Sequence, residues 1–84
     1  MKRIGVIGII VQGDKSTVAT MQNIFSDFSD IIIGRMGVPR DSINVISLIV
    51  EGSLEKISAL TGKLGKINGI TVKSAMTNFE INII

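Results

Sequence analysis

Residues 4–38, IGVIGIIVQGDKSTVATMQNIFSDFSDIIIGRMGV, lie without a gap over residues 43–77, INVISLIVEGSLEKISALTGKLGKINGITVKSAMT. Val6-Ile7 falls on Val45-Ile46, and Ile9-Ile10-Val11 on Leu48-Ile49-Val50. Gly13 falls on Gly52. Val18, Met21, Phe25 and Phe28 fall on Ile57, Leu60, Leu64 and Ile67, and Ile31 and Ile33 on Ile70 and Val72. The two copies agree in apolar position more than in residue type, so what repeats is a pattern of burial.

Each copy reads strand, helix, strand. Ile4 to Val11 is a short aliphatic run closed by Gln12-Gly13, the signature of a central strand buried on both faces. Asp14 is placed as an N-cap, its carboxylate accepting the free amides of the first helical turn. Val18, Met21, Phe25 and Phe28 then recur at helical spacing on one face, and the helix is expected to end near Phe28 or Ser29. Ile31 to Val38 is the second strand. Pro39, which cannot donate to a ladder, marks with Arg40-Asp41 the hairpin turn.

The second copy repeats the plan with Ile43 to Val50 as strand and Gly52-Ser53 as loop and cap. Glu55 stands in the first helical turn and Lys63 and Lys66 at the helix C-terminus, where charge of each sign complements the dipole. Asn68-Gly69 supplies the turn into the strand Ile70 to Thr77. The tail, residues 78–84, alternates Phe79, Ile81 and Ile83 against Glu80 and Asn82. It is a candidate fifth strand, added to its own sheet or to a neighbour's, with a frayed terminus as the alternative.

The order βαββαβ is the ferredoxin-like arrangement of the α+β class. Right-handed crossovers put both helices on one face of a four-stranded antiparallel sheet. Residues 1–77 are thus read as a single domain of two βαβ units, 4–38 and 43–77. The first and third strands are central because they are the most apolar. One of their faces carries Ile7, Ile9, Val11, Ile46, Leu48 and Val50, which we read as the helix-facing core. The other carries Ile4, Val6, Ile10, Ile43, Val45 and Ile49, with the small residues Gly8 and Ser47 between them. The helices can cover only one face. The other is an aliphatic patch on the order of several hundred Å², more than a monomer usually exposes. A homo-oligomer, dimer or tetramer, is therefore expected, with Ile4, Val6, Ile10, Val45 and Ile49 at its interface.

Composition points the same way. The chain has 84 residues, 45% of them apolar, and no cysteine. A chain of this length buries only roughly 60–65% of its surface, so a second buried surface is a natural supplement to its core. Nine Lys/Arg against seven Asp/Glu give a net charge of +2, too weak and dispersed for a nucleic-acid footprint. There is no Trp or Tyr to stack on bases. The start MKRIGVIGIIVQG has the basic residues and apolar run of a weak signal peptide. Its apolar run recurs inside the chain as INVISLIV, which a buried strand explains and a signal does not. No apolar run approaches the length of a membrane span. A cytoplasmic protein is expected.

Catalysis finds little material. His and Cys, the commonest general base and the strongest nucleophile, are absent. No pair of carboxylates sits at a spacing that demands a dyad, so no catalytic residue is assigned and an enzyme is not expected. Asp27 and Asp30 stand at the unfavourable end of the first helix, where a hard cation would relieve them; solvated charge explains them as well, and no metal or cofactor is assigned. Thr61-Gly62-Lys63-Leu64-Gly65-Lys66 lacks P-loop spacing and lies inside a helix. Gly62 and Gly65 instead read as a smooth strip for contact within the chain or with a partner, because glycine is costly in a helix. The candidate ligand-binding residues are Gly13, Asp14 and Gly52, at the two strand-to-helix loops whose free amides suit an anion, and Arg35, between Gly34 and Gly37.

The strings IGVIGIIV (4–11), IIIGRMGVP (31–39), NVISLIVEG (44–52) and ALTGKLGKINGITVKSA (59–75) together resemble the family of small regulators associated with iron-only hydrogenase systems in anaerobic bacteria. The likeness covers about residues 3 to 76. It implies a stand-alone ACT-like, ferredoxin-like domain. The architecture is also similar to the effector domain of nickel-responsive repressors, which tetramerises. The histidines and cysteine of that nickel site have no counterpart here, and the chain has no helix-turn-helix or ribbon arm for DNA. The resemblance implies a non-enzymatic, homo-oligomeric regulatory domain that senses a small-molecule effector or a protein partner. The alternative is a protein–protein interaction module in hydrogenase maturation or electron-transfer assembly. The two copies differ most where the family strings are most distinctive. Asn23 and Ser26 become Gly62 and Gly65, and Gly34-Arg35 becomes Lys73-Ser74, so a site is sought where the repeat fails.

Overall fold

Strict alternation along two strands sets the layers. In β1 (Lys2–Val11) Ile7, Ile9 and Val11 are buried while Val6, Gly8 and Ile10 are exposed. In β3 (Ile43–Gly52) Ile46, Leu48 and Val50 are buried while Val45 and Ile49 are exposed. Two helices, α1 (Lys15–Asp27) and α2 (Leu54–Gly65), cover the buried side with Met21 and Phe25 from one and Ile57, Leu60 and Leu64 from the other. Each such side chain, fully buried, contributes roughly 1.5–3 kcal/mol. The edge strands are β2 (Ile32–Arg40) and β4 (Ile70–Ile81), and the sheet order is β2-β3-β1-β4, antiparallel throughout. This computed structural model describes residues 2–81.

The βαββαβ sandwich and its helix-facing core thus follow the repeat. Three details differ from expectation. Pro39 is inside β2 opposite Asn44, and the hairpin turn is Asp41-Ser42. An edge strand tolerates proline because its outer N–H has no ladder partner to lose. Residues 78–81 continue β4 and pair with the start of β1, Lys2 opposite Ile81, after a bulge between Arg3 and Gly5. The tail therefore joins its own sheet as an extension of the fourth strand; residues 82–84 of that expectation lie outside the described residues.

The third difference breaks the repeat's symmetry. Val72 stands opposite Ile9, so repeat equivalence places Ile33 opposite Leu48. The structure puts Arg35 there: Ile32 already pairs with Val50, where the repeat would place Ile31, and the bulge between Ile32 and Gly34 adds a second residue of offset. Ile33, aligned with half-buried Val72, is instead 56% exposed.

The glycines divide by role. Gly69 has φ +90°, and a Cβ there would lie 2.3 Å from the Gln12 carbonyl oxygen, so the turn after α2 requires glycine. Gly65 lies over Val72 in ordinary contact, a Cβ there meeting its Cγ1 at 3.5 Å. Around Gly62 no described atom comes within 4 Å of a Cβ position, so the expected close approach at this residue is not made within the chain. Both helical glycines also lie on the layer opposite the exposed sheet face, so the residues expected at an interface belong to two separate surfaces. Gly62→Ala should raise stability by about 0.5–1 kcal/mol through helix propensity alone. Chemical denaturation checks this; a loss would mean that the glycine is held by a contact outside the chain.

Candidate functional site

The two strand-to-helix loops are at opposite ends of the sheet, since Val11 pairs with Asn44 and Arg3 with Gly52. Gly13 and Asp14 therefore never meet Gly52 in one site, and Arg35, in mid-strand, is near neither.

Each loop is also occupied by its own side chains. Asp14 Oδ1 accepts from the backbone N–H groups of Ser16 (3.0 Å) and Thr17 (3.1 Å) and from the Ser16 hydroxyl (2.7 Å). Those bonds, the Ser16 hydroxyl foremost and then the Thr17 amide, hold its carboxyl below the usual carboxylate range. The anion this helix N-terminus would attract is thus already supplied by the chain. A Cβ at Gly13 would lie 2.6 Å from the Thr17 hydroxyl oxygen, so its small size serves the cap. At the other loop, Ser53 Oγ accepts from the Lys56 amide at 3.1 Å. Gly52 is buried, and a Cβ there would meet Ile31 Cγ2 at 2.7 Å. Gly52 is therefore a packing position.

Asp30 pairs with Lys56, tying the end of α1's loop to the first turn of α2 and holding the Asp30 carboxyl low. Among the described residues no group of three or more His, Cys, Asp and Glu is placed to hold a metal ion. No helix of the described residues is long and apolar enough to cross a membrane.

Arg35 is different. The register slip brings it to the helix-facing side of β2, where its guanidinium lies 5.1 Å from the Phe25 ring centroid of α1. It donates through both terminal nitrogens to Gln22 Oε1, at 3.4 and 3.5 Å. Among the described residues no carboxylate is in ion-pair range of Arg35. The guanidinium, ring and amide border an open cleft of about 250 Å³ with Ser26, Ser29 and Ile32. A second cleft of about 290 Å³ shares Gln22 and is walled by Val18, Met21, Pro39 and Ile46. Both open because the halves pack differently: α2 sits closely on β4, whereas α1 stands off β2. A third hollow, of about 430 Å³ beside Phe28 and Lys63, has Ser53 and Lys56 already engaged.

Sequence reasoning singled out Arg35 but missed Gln22, Phe25 and the serines. The signal was present in the repeat comparison: Phe25 and Gln22 stand opposite the strand that carries the mismatch Gly34-Arg35.

A four-stranded sheet with two helices on one side in this order is the ACT-domain fold. The ACT domain of GTP pyrophosphokinase from Chlorobium tepidum superposes with a TM-score of 0.77 at 21% identity, covering 89% of this chain and 100% of that one. The C-terminal domain of MgtC from Mycobacterium tuberculosis gives 0.63 at 16%, covering 89% and 87%. More similar is the uncharacterized protein TM1266 from Thermotoga maritima, with a TM-score of 0.87 at 29% identity over 90% of this chain and 98% of that chain. No curated protein matches the sequence significantly. Residues 3–74 match the TM1266-like family, described as "Iron-only hydrogenase system regulator, putative", and the chain belongs to that family.

The Asp14 cap predicts a pH dependence. Its carboxyl is depressed in the fold, so its contribution is complete above the unfolded carboxylate value and is lost as pH falls through the folded one. Asp14→Asn keeps an acceptor but no charge. Thermal melts should show wild type more stable than the variant at neutral pH, with the difference shrinking below about pH 4. A pH-independent difference would contradict the capping role.

Proposed function

We propose that the chain is a non-catalytic regulatory module that acts in the cytoplasm as a homo-oligomer and responds to a small effector. The family description supports the regulatory part. The carrying observation for assembly is the sheet face that the helices leave bare. Val6 and Ile49 are each 44% exposed on neighbouring central strands, and Met36 on edge strand β2 is 65% exposed. With Ile10, Val45 and Val38 they form a contiguous apolar surface.

The form of this face favours a second copy as its cover. Gly8 pairs with Ser47 at its centre, Val6 with Ile49 on one side and Ile10 with Val45 on the other. The two central strands run antiparallel, so the surface is nearly twofold symmetric about its own middle. In an isologous interface the same patch meets itself, residue i against j and j against i, and a flat aliphatic face can be covered in that way. Small residues at the centre let two sheets approach, and four aliphatic side chains surround them. Lys73 on edge strand β4 stands level with Gly8 on this face, while Glu51 and Arg40 lie toward strand ends. Ile4, half-buried beside Glu51, belongs to the same margin.

Sedimentation equilibrium tests the assembly. Wild type should be dimeric or tetrameric at micromolar concentration, and Ile49→Lys should be a folded monomer by circular dichroism. Wild type sedimenting as a monomer would overturn the reading.

A further inference from the structure

We propose that the groove between α1 and β2 binds a small monocarboxylate with an apolar body, its carboxylate taken by Arg35. The proposal deepens the regulatory reading, on which it rests, by giving the effector a place and a chemistry.

A charge stands where the other half of the fold has an aliphatic side chain. In the second half of the fold the position opposite the central strand is held by Val72, half-buried against α2 at Gly65. In the first half the register slip puts a guanidinium at that position, beneath Phe25 and beside a cleft. A planar fork of donors is suited to a carboxylate. Among the described residues it has one neutral amide oxygen, at long distances. Stacking on Phe25 fixes the fork and leaves donor capacity facing the cleft.

Charge then selects the ligand. Arg35 is the single cation lining either cleft, which matches one negative charge better than a phosphate dianion. Neither cleft is lined by Asp or Glu, so the ammonium of a free amino acid would find no counter-charge. Ser26 and Ser29 add hydroxyl donors near the carboxylate position. Beyond Gln22 the second cleft is walled by Val18, Met21, Pro39 and Ile46, which suits an aliphatic body. Among the described residues α2 packs closely on β4, and the expectation is one site per chain.

The probe is hexanoate, titrated into the isotope-labelled full chain and followed by amide and Arg35 side-chain N–H resonances. Saturable shifts are expected at Gln22, Ser26, Ser29 and Arg35. Arg35→Gln, with its melting temperature retained, should weaken binding by about tenfold or more, as loss of a charge-assisted pair does. Hexanol should leave the Arg35 N–H unmoved, and inorganic phosphate and leucine should bind less well. Equal affinity in the variant, phosphate or leucine binding as tightly as hexanoate, or no saturable shift would overturn the proposal. So would shifts confined to Val6, Ile10, Val45 and Ile49, which would mean adsorption on the sheet face. Sedimentation of the same samples separates the two readings: a monomer that binds hexanoate at Arg35 supports the site and overturns the assembly.

Discussion

The structure depends on one asymmetry: two aliphatic central strands and helices on only one side of them. Right-handed crossovers from β1 and β3 bring α1 and α2 to the same face of the sheet. Ile7, Ile9, Leu48 and Val50 meet that layer and disappear from solvent. Val6, Ile10, Val45 and Ile49 are equally aliphatic and have no layer to meet. A soluble sheet with one solvated face usually alternates apolar with polar residues. These two strands do not, and the exposed half of their apolar residues is the strongest statement the molecule makes about a partner.

The duplicated pattern carries the fold but not the pairing. Strand and helix identities, the buried face and both caps were legible because each follows from local spacing: period two in the strands, helical period in Val18, Met21 and Phe25, Asp14 and Ser53 before a helix. Register is set between strands, and β2 is one residue out of step with the repeat at Ile32 and two after the bulge before Gly34. Hence Ile33 leaves the core and Arg35 enters the helix-facing layer with no change in local sequence character. Pro39 misled for a related reason, since proline breaks a central strand but is harmless at an edge, and edge position is a property of the assembled sheet.

The candidate site was legible only in part. Arg35 stood out because the second copy has Ser74 in its place. Gly13, Asp14 and Gly52 looked like an anion cradle because helix N-termini attract anions in general, yet Asp14 and Ser53 already fill those positions. The groove beside Arg35 needed the difference in helix packing between the two halves, which no residue announces alone. The repeated pattern builds the scaffold, and the departure from symmetry in the first half sets Arg35 beside a cleft.

The chain belongs to the TM1266-like family of regulators, and the bare sheet face is where the proposed assembly is tested. The most direct test is intermolecular nuclear Overhauser contact in an equal mixture of differently labelled chains. Methyl groups of Val6, Ile10, Val45 and Ile49 should show contacts across the mixture, while those of Ile7 and Leu48 should not. Intermolecular contacts absent from the sheet face, or confined to the outer surfaces of the helices, would contradict the account.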